Sequence, residues 1–407
     1  MKVLYCTRIF SGLEKSLVEK KWKPTGVPTI YKLLEKLEKN SDLNIFFLSK
    51  DSSNNHKSIW TTKHNVKINL KGFKNNLEII SGYKYFNFLL LKKLKIFLRE
   101  IRQLIFLYIK YKQIKPDIIY FDNSNVLFAS LFAKYSKSKV VLRIMGVYPF
   151  MKNVIKKDTI KNKIFYKAYS SKYSLVICSQ DGSGVEPWLN NIINKQTQIS
   201  ILMNGVDLNI PVYKNVHNLN QSKFRILFIG KLESYKGADI FIDSIIKFDE
   251  IYHNNLEGII IGTGSLEQKI KNKIDRLGKK ELFKFESKIS HEEIYNYHYK
   301  SDIYVSLNKY GNLSNANLEA INATNCILMP EPDIKSYTDV YTKEFLRDSV
   351  IYVSRKDTLN DLVNIYKKLY KDRKKILEYK NRIKLKKINL ISWDERINKE
   401  LEILKNL

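Results

Sequence analysis

Residues 301–330, SDIYVSLNKYGNLSNANLEAINATNCILMP, carry the pattern that decides the fold. The apolar run Ile303–Val305 predicts a short buried strand, followed by a loop rich in Asn, Ser and Gly. A helix is expected from about Asn315, with Glu319 inside its first turns, and the apolar run from Cys326 to Met329 predicts another strand. Asn and Ser suit a helix start because their side chains accept from N–H groups that lack an intrahelical partner. Those N–H groups and the helix dipole together form an anion site. A carboxylate one turn inside can accept hydrogen bonds from ligand hydroxyls. Strand, loop, helix, strand is the unit of a parallel sheet, which binds its ligands at the carboxyl ends of its strands.

The same alternation runs outward in both directions. Towards the N-terminus, strands are expected at Lys2–Thr7, Leu43–Leu48, within PDIIYFDN from Pro116, at Val140–Arg143, Ser174–Cys178 and Ile199–Met203. A long loop from Arg8 to about Val27 follows the first strand, and Pro28 opens a helix with Ile30, Leu33, Leu34 and Leu37 at helical spacing. QDGSGVEPW forms a Gly/Asp turn opening a further helix. Residues 208–222 are polar and aperiodic and read as a linker, after which FRILFIGKLESYKGADIFIDSI restarts the pattern. Ser265 with Gln268, and Ser290 with Glu293, have the spacing of capping boxes. The expected class is α/β, with two Rossmann-like, doubly wound parallel-sheet domains. The expected boundaries are 1–207, 223–385 and a C-terminal helical segment, 386–407, packing back on the first domain.

The 407 residues are 44% apolar and 12% aromatic, which excludes a disordered chain. Lys and Arg outnumber Asp and Glu by 71 to 41, a net charge of +30. Such a field favours polyanions, although the Ile-, Lys- and Asn-rich composition throughout accounts for much of it. Residues 83–113 predict a long helix in which basic residues interleave with apolar ones. It is either a core helix with a wet stripe or a helix lying on an anionic membrane. Cys6, Cys178 and Cys326 have neither metal nor disulfide spacing and suit a reducing compartment. MKVLYCTRIF is a core strand rather than a signal peptide. A cytoplasmic protein, peripheral on the inner face of the membrane at most, is expected.

Chemistry concentrates at strand ends. Gly230-Lys231 and Lys236-Gly237 lie between a strand and a helix, where two ammonium groups can neutralise a leaving diphosphate. Gly262-Thr263-Gly264 is a strand-to-helix turn of the kind any parallel sheet needs. Gly12 and Gly26 are either plain turns or points where a ligand nears the backbone. The six histidines are scattered, no Asp-x-Asp pair stands in a suitable loop, and no metal or cofactor is expected. No arginine-rich or aromatic stacking motif supports nucleic-acid binding.

Taken together, GKLESYKGAD, IIIGTGSLEQKI, SDIYVSL and NANLEAINA resemble the retaining group 1, or family 4, nucleotide-sugar glycosyltransferases of the GT-B fold. The resemblance is specific over about residues 224–329 and looser in the N-terminal half. It implies a sugar transferred from a nucleoside-diphosphate donor to a glycan or lipid-linked acceptor without a metal, as in bacterial-type surface polysaccharide assembly. Lys231 stands where the family usually has Arg, and Lys236 where it has Lys. Both would grip the diphosphate, and with Glu319, which would hold the ribose, they are the expected catalytic set. The amides around Asn317 and Leu318 would cap the distal phosphate. Lys288 and Ile289 fall where the family's backbone meets the base, and Gly26 near the loop that faces the donor, with Gly12 and Gly146 on the acceptor side. Two departures stand out. The first Glu of the family's Glu-x₇-Glu motif is Gly311 here, with Asn312 or Asn315 the alternative sugar contacts, and the family's frequent His-Gly is Met145-Gly146. They leave room for a second expectation, a catalytically impaired homologue serving as a scaffold or polyanion binder.

Overall fold

The computed structural model of the chain describes residues 1–49, 64–81, 92–208, 223–252, 255–287 and 289–407. In chain order the first domain runs β1 (Lys2–Arg8), α1 (Ser11–Glu19), α2 (Pro28–Asn40), β2 (Asp42–Leu48), β3 (Val66–Ile68), β4 (Leu77–Ile80), α3 (Lys92–Ile114) and β5 (Ile118–Asp122). It continues with α4 (Val126–Tyr135), β6 (Lys139–Ile144), α5 (Pro149–Val154), α6 (Ile160–Tyr169), β7 (Leu175–Gln180), α7 (Val185–Ile192) and β8 (Gln198–Met203). Among the described residues its sheet has the order β3-β4-β2-β1-β5-β6-β7-β8, parallel except at the β3–β4 edge. Period-two alternation puts Leu4 and Cys6 of β1 in one core layer and Val3 and Tyr5 in the other, so both faces are covered.

The second domain comprises β9 (Phe224–Ile229), α8 (Ala238–Asp249), β10 (Leu256–Ile261), α9 (Glu267–Arg276), β11 (Phe283–Glu286), α10 (His291–Lys300), β12 (Ile303–Val305) and α11 (Asn315–Asn322). It closes with β13 (Cys326–Pro330), α12 (Val340–Leu346), β14 (Ile351–Val353), α13 (Thr358–Lys371), α14 (Arg373–Lys387) and α15 (Trp393–Lys405). Its sheet, ordered β11-β10-β9-β12-β13-β14 among the described residues, is parallel throughout. β9 and β12 lie at its centre.

The last helix does not stay with the second sheet. Ile397, Leu401 and Leu404 of α15 join the core layer under β1 and α2. Glu400 accepts from Arg143 Nη1 of β6 (2.5 Å), from Arg396 Nη1 (2.7 Å) and from the Tyr120 hydroxyl. All four residues are buried. A Ser392–Glu395 capping box starts this helix.

Several local expectations are corrected. The loop expected from Arg8 to Val27 contains α1. Ser265 makes no capping box: its N–H and hydroxyl both donate to Glu233 (2.9 and 2.6 Å), tying the β10 exit to the β9 exit. The Ser290–Glu293 box forms as read. The expected linker falls almost wholly on residues 209–222, outside the described residues, as do residues 83–91 of the long basic helix. The described part, α3, buries one face and exposes apolar residues on another. Arg99, Gln103, Leu107 and Tyr111 form a buried stripe at i, i+4 spacing, while Phe97, Ile101, Ile105, Tyr108 and Ile109 are exposed. None of the described helices is long and apolar enough to cross a membrane.

Candidate functional site

The second domain contributes the basic end of the cleft. β9 ends at Ile229, and after Gly230 the turn into α8 holds Lys231 exposed and Lys236 partly buried. Burial lowers the pKa of the Lys236 ammonium; Asp181, reaching across from the first domain, favours its charged form, and the Lys231 charge works against it. Two like charges are thus held together at a strand end, where an anion would relieve both the burial and the repulsion.

Helix α11 contributes a buried carboxylate. Glu319 is only 7% exposed and lies beside Tyr295 and Tyr304, whose hydroxyls are held protonated by burial and by that carboxylate. The β8 exit reaches the same place: Asp207 also acts on Tyr295, and its carbonyl accepts from Asn322 Nδ2 (2.9 Å). The amides of Asn317 and Leu318 are committed to the Ser314 carbonyl (3.0 and 2.9 Å). The N–H groups that precede them in the first turn of the helix are those of Asn315 and Ala316.

The loop before α11 is braced rather than open. Asn312 is fully buried; its N–H and Nδ2 both donate to Asp339 (2.6 and 2.7 Å), and its Oδ1 accepts from Ser306 Oγ (2.8 Å). Asn312, an expected alternative sugar contact, thus braces the loop. Burial raises the Asp339 carboxyl pKa against the bonds from Asn312, and Arg355 pairs with it at 3.2 Å. Asn315 Oδ1 accepts from Asn204 Nδ2 of the first domain (2.8 Å), so it bridges the cleft.

The first domain meets this loop with the turn after β7. The Asp181 carbonyl accepts from the Leu313 N–H (3.0 Å) and the Gly182 carbonyl from the Asp339 N–H (2.7 Å). Lys152 Nζ donates to the Ser336 carbonyl (3.1 Å) and Thr338 Oγ1 (2.9 Å). Gly311 has φ +132°, and a Cβ there would stand 2.6 Å from the Asp181 carbonyl oxygen and 2.8 Å from the Ser183 nitrogen. The missing carboxylate at this position is therefore a steric requirement of the docked domains. At Gly146, φ +109°, a Cβ would stand 1.9 Å from Asp181 Oδ2.

The other expected residues divide. Lys231, Lys236, Glu319 and Asn315 line or bridge the cleft, while Leu318 is wholly buried in the core. Gly12 is pressed against Thr25, whose carbonyl lies 1.7 Å from where its Cβ would be, so it serves packing. Gly26, φ +89°, has open space beside it. Ile289 is partly buried against the core layer under α11, and Lys288 lies outside the described residues. Asp181 was not singled out in the sequence; its only signal is an Asp in the Gly/Asp turn at the end of an expected strand. Among the described residues no group of three or more His, Cys, Asp or Glu is placed to hold a metal ion.

Residues 209–383 match the family model described as glycosyl transferases group 1. No curated protein sequence matches the chain. Sucrose-phosphate synthase from Thermosynechococcus elongatus is similar over 100% of this chain and 99% of its own, at 11% identity and TM-score 0.70. HepE from Anabaena, solved in complex with UDP, aligns over 100% of both chains at 14% identity and TM-score 0.67. An E. coli structure titled trehalose-6-phosphate bound with UDP-2-fluoro glucose aligns over 100% and 99%, at 10% identity and TM-score 0.68. At these identities the three likenesses speak for the fold. With two parallel-sheet α/β domains and these likenesses, the chain has the GT-B fold, and residues 209–383 of it match a group 1 glycosyltransferase domain.

Proposed function

We propose that the chain transfers a sugar from a nucleoside-diphosphate donor to a glycan or lipid-linked glycan, with retention and without a metal, in surface polysaccharide assembly. The observation that carries the donor reading is the pair Lys231 and Lys236, held together at the β9 exit with burial already disfavouring the Lys236 charge. A diphosphate there supplies the missing negative charge, the first N–H groups of α11 cap its distal phosphate, and Glu319 accepts from the ribose hydroxyls. In the transfer, the bond from the anomeric carbon to the diphosphate oxygen breaks as the acceptor oxygen forms its new bond on the same face. The acceptor proton passes to the leaving phosphate, whose charge the two lysines stabilise. The UDP complexes of the HepE structure and the UDP-2-fluoro glucose of the E. coli structure support a nucleotide-sugar donor by similarity of fold.

Thermal-shift measurement against UDP, GDP, ADP and CMP and their common sugar conjugates tests the donor reading. One nucleotide series is expected to stabilise the protein. Lys236→Ala and Glu319→Ala should each weaken its binding by about 10- to 100-fold, the loss of one hydrogen bond to a charged group. Stabilisation by none of them, or full binding in both variants, sinks the donor site.

The exposed face of α3 favours a membrane-resident acceptor. Phe97, Ile101, Ile105 and Ile109 stand out from it, with Leu127 and Leu131 of α4 and Ile160 and Ile164 of α6 exposed on neighbouring elements, in a chain of net charge +30. Co-sedimentation with phosphatidylglycerol vesicles is expected and should be lost in a Phe97→Glu/Ile105→Glu double variant. No retention of the natural protein removes the membrane from this reading.

A further inference from the structure

We propose that Asp181 is the carboxylate that holds the transferred sugar, supplied by the first domain in place of the acidic residue that Gly311 excludes from the second. The inference rests on the donor reading above and deepens it. Its first support is place. Asp181 follows the last residue of β7, at the carboxyl edge of the first sheet, and its carbonyl is docked on Leu313 at 3.0 Å. Any side chain at position 311 would start 2.6 Å from that carbonyl, so with the domains docked the loop before α11 presents no acid of its own there.

The second support is orientation. Asp181 Oδ1 is fixed by the Ser183 N–H (3.0 Å) and by the Ser183 hydroxyl. Oδ2 lies 1.9 Å from where a Cβ of Gly146 would be, so the carboxylate fills the side-chain space over the Met145-Gly146 turn. A side chain at Gly146 would displace it, and the positive φ of Gly146 keeps that space clear. A turn-forming role accounts for Oδ1 alone.

The third support is the electrostatic setting. Burial raises the Asp181 carboxyl to about 6, against the two bonds from Ser183 and with Asp339 adding to the rise. The groups facing it are the Asp339 carboxylate, the Lys152 ammonium, the Tyr148 hydroxyl and, from the basic end of the cleft, Lys236. Asp181 favours the charged form of Lys236, so the two groups lie within electrostatic reach of one another. A diphosphate gripped at Lys236 carries its sugar on the distal phosphate. A carboxylate with one oxygen anchored by Ser183 keeps the acceptor capacity of the other, and is equipped to accept from that sugar's hydroxyls.

The test separates sugar from nucleotide. Calorimetric affinities are measured for UDP with UDP-glucose, GDP with GDP-mannose and ADP with ADP-glucose, in the natural chain and in Asp181→Asn. The natural chain should bind one nucleotide sugar more tightly than its nucleotide. Asp181→Asn, which keeps the shape and one acceptor, should erase that difference, about 10- to 100-fold, while the nucleotide alone still binds. Nucleotide affinity is the internal control for folding. The proposal is overturned if the variant keeps the sugar increment, if it loses nucleotide and nucleotide sugar equally, or if the natural chain shows no increment. Binding of no nucleotide at all removes the donor site itself, and this inference with it.

Discussion

Glu400 and Asp181 are both carboxylates drawn out of water where distant parts of the chain meet, and they titrate in opposite directions. Burial pushes the Glu400 carboxyl up, but Arg143 and Arg396 outweigh it and hold the group below the ordinary glutamate value. Asp181 is anchored by Ser183, but burial prevails over those bonds and its carboxyl rises to about 6. The first is a closed account of charge and hydrogen bonds, which is what a permanent junction needs. The second is left partly uncompensated, facing a cleft lined with cations. Strongly perturbed groups of that kind gather where a ligand completes the set.

Breaking the closed set should have the largest effect. Glu400→Leu leaves Arg143 and Arg396 buried side by side with their shared counter-charge removed. The expected cost is about 3–5 kcal/mol in denaturant unfolding, the range for one partner removed from a buried pair. A cost below about 1 kcal/mol would mean that the apolar face of α15, Ile397, Leu401 and Leu404, makes the junction without the charges. Because the folded pKa of Glu400 is depressed, its contribution is present above the ordinary glutamate pKa. It is lost as pH falls through the lower folded value.

The contrast also marks what a linear sequence displays. Strand–helix alternation is local, so the two sheets and the lysines at the β9 exit were legible: apolar runs of strand length, each closed by Gly, say where the carboxyl ends lie. Glu319 was legible for the same reason, being one turn inside a helix whose start is written in Asn and Ser. What failed was what depends on a distant partner. Ser265 has the spacing of a cap, yet Glu233, more than 30 residues away, takes both its donors. Asn312 looks like a polar loop residue free for a ligand until Asp339 folds over it. Gly311 read as a lost carboxylate, and only the docking of the two domains shows that the space for one is taken by the backbone at Asp181. The role of α15 was half legible: a C-terminal helical segment packing back on the first domain was expected, but the fully buried Glu400 had no visible partner until β5 and β6 were laid beneath it.

The smallest effect expected is a gain. Because the folded pKa of Asp181 lies above its ordinary value of 3.8, ionising it costs the folded state free energy at neutral pH. That cost is absent below the ordinary value, where the group is protonated folded or unfolded, and grows until pH passes about 6. Asp181→Asn removes it, so the variant should be more stable than the natural chain at pH 8 by on the order of 2 kcal/mol. At pH 4 or below the two should be nearly equal. The reading is thermal or denaturant unfolding of both proteins across that range. A stability difference that does not change with pH would show that the Asp181 carboxylate carries no such cost. A difference that opens between pH 4 and 6, in a variant that has lost its hold on the sugar, would show a residue kept against the stability of the fold. Stability given up at a single position is the ordinary mark of a group held ready for a ligand rather than for packing.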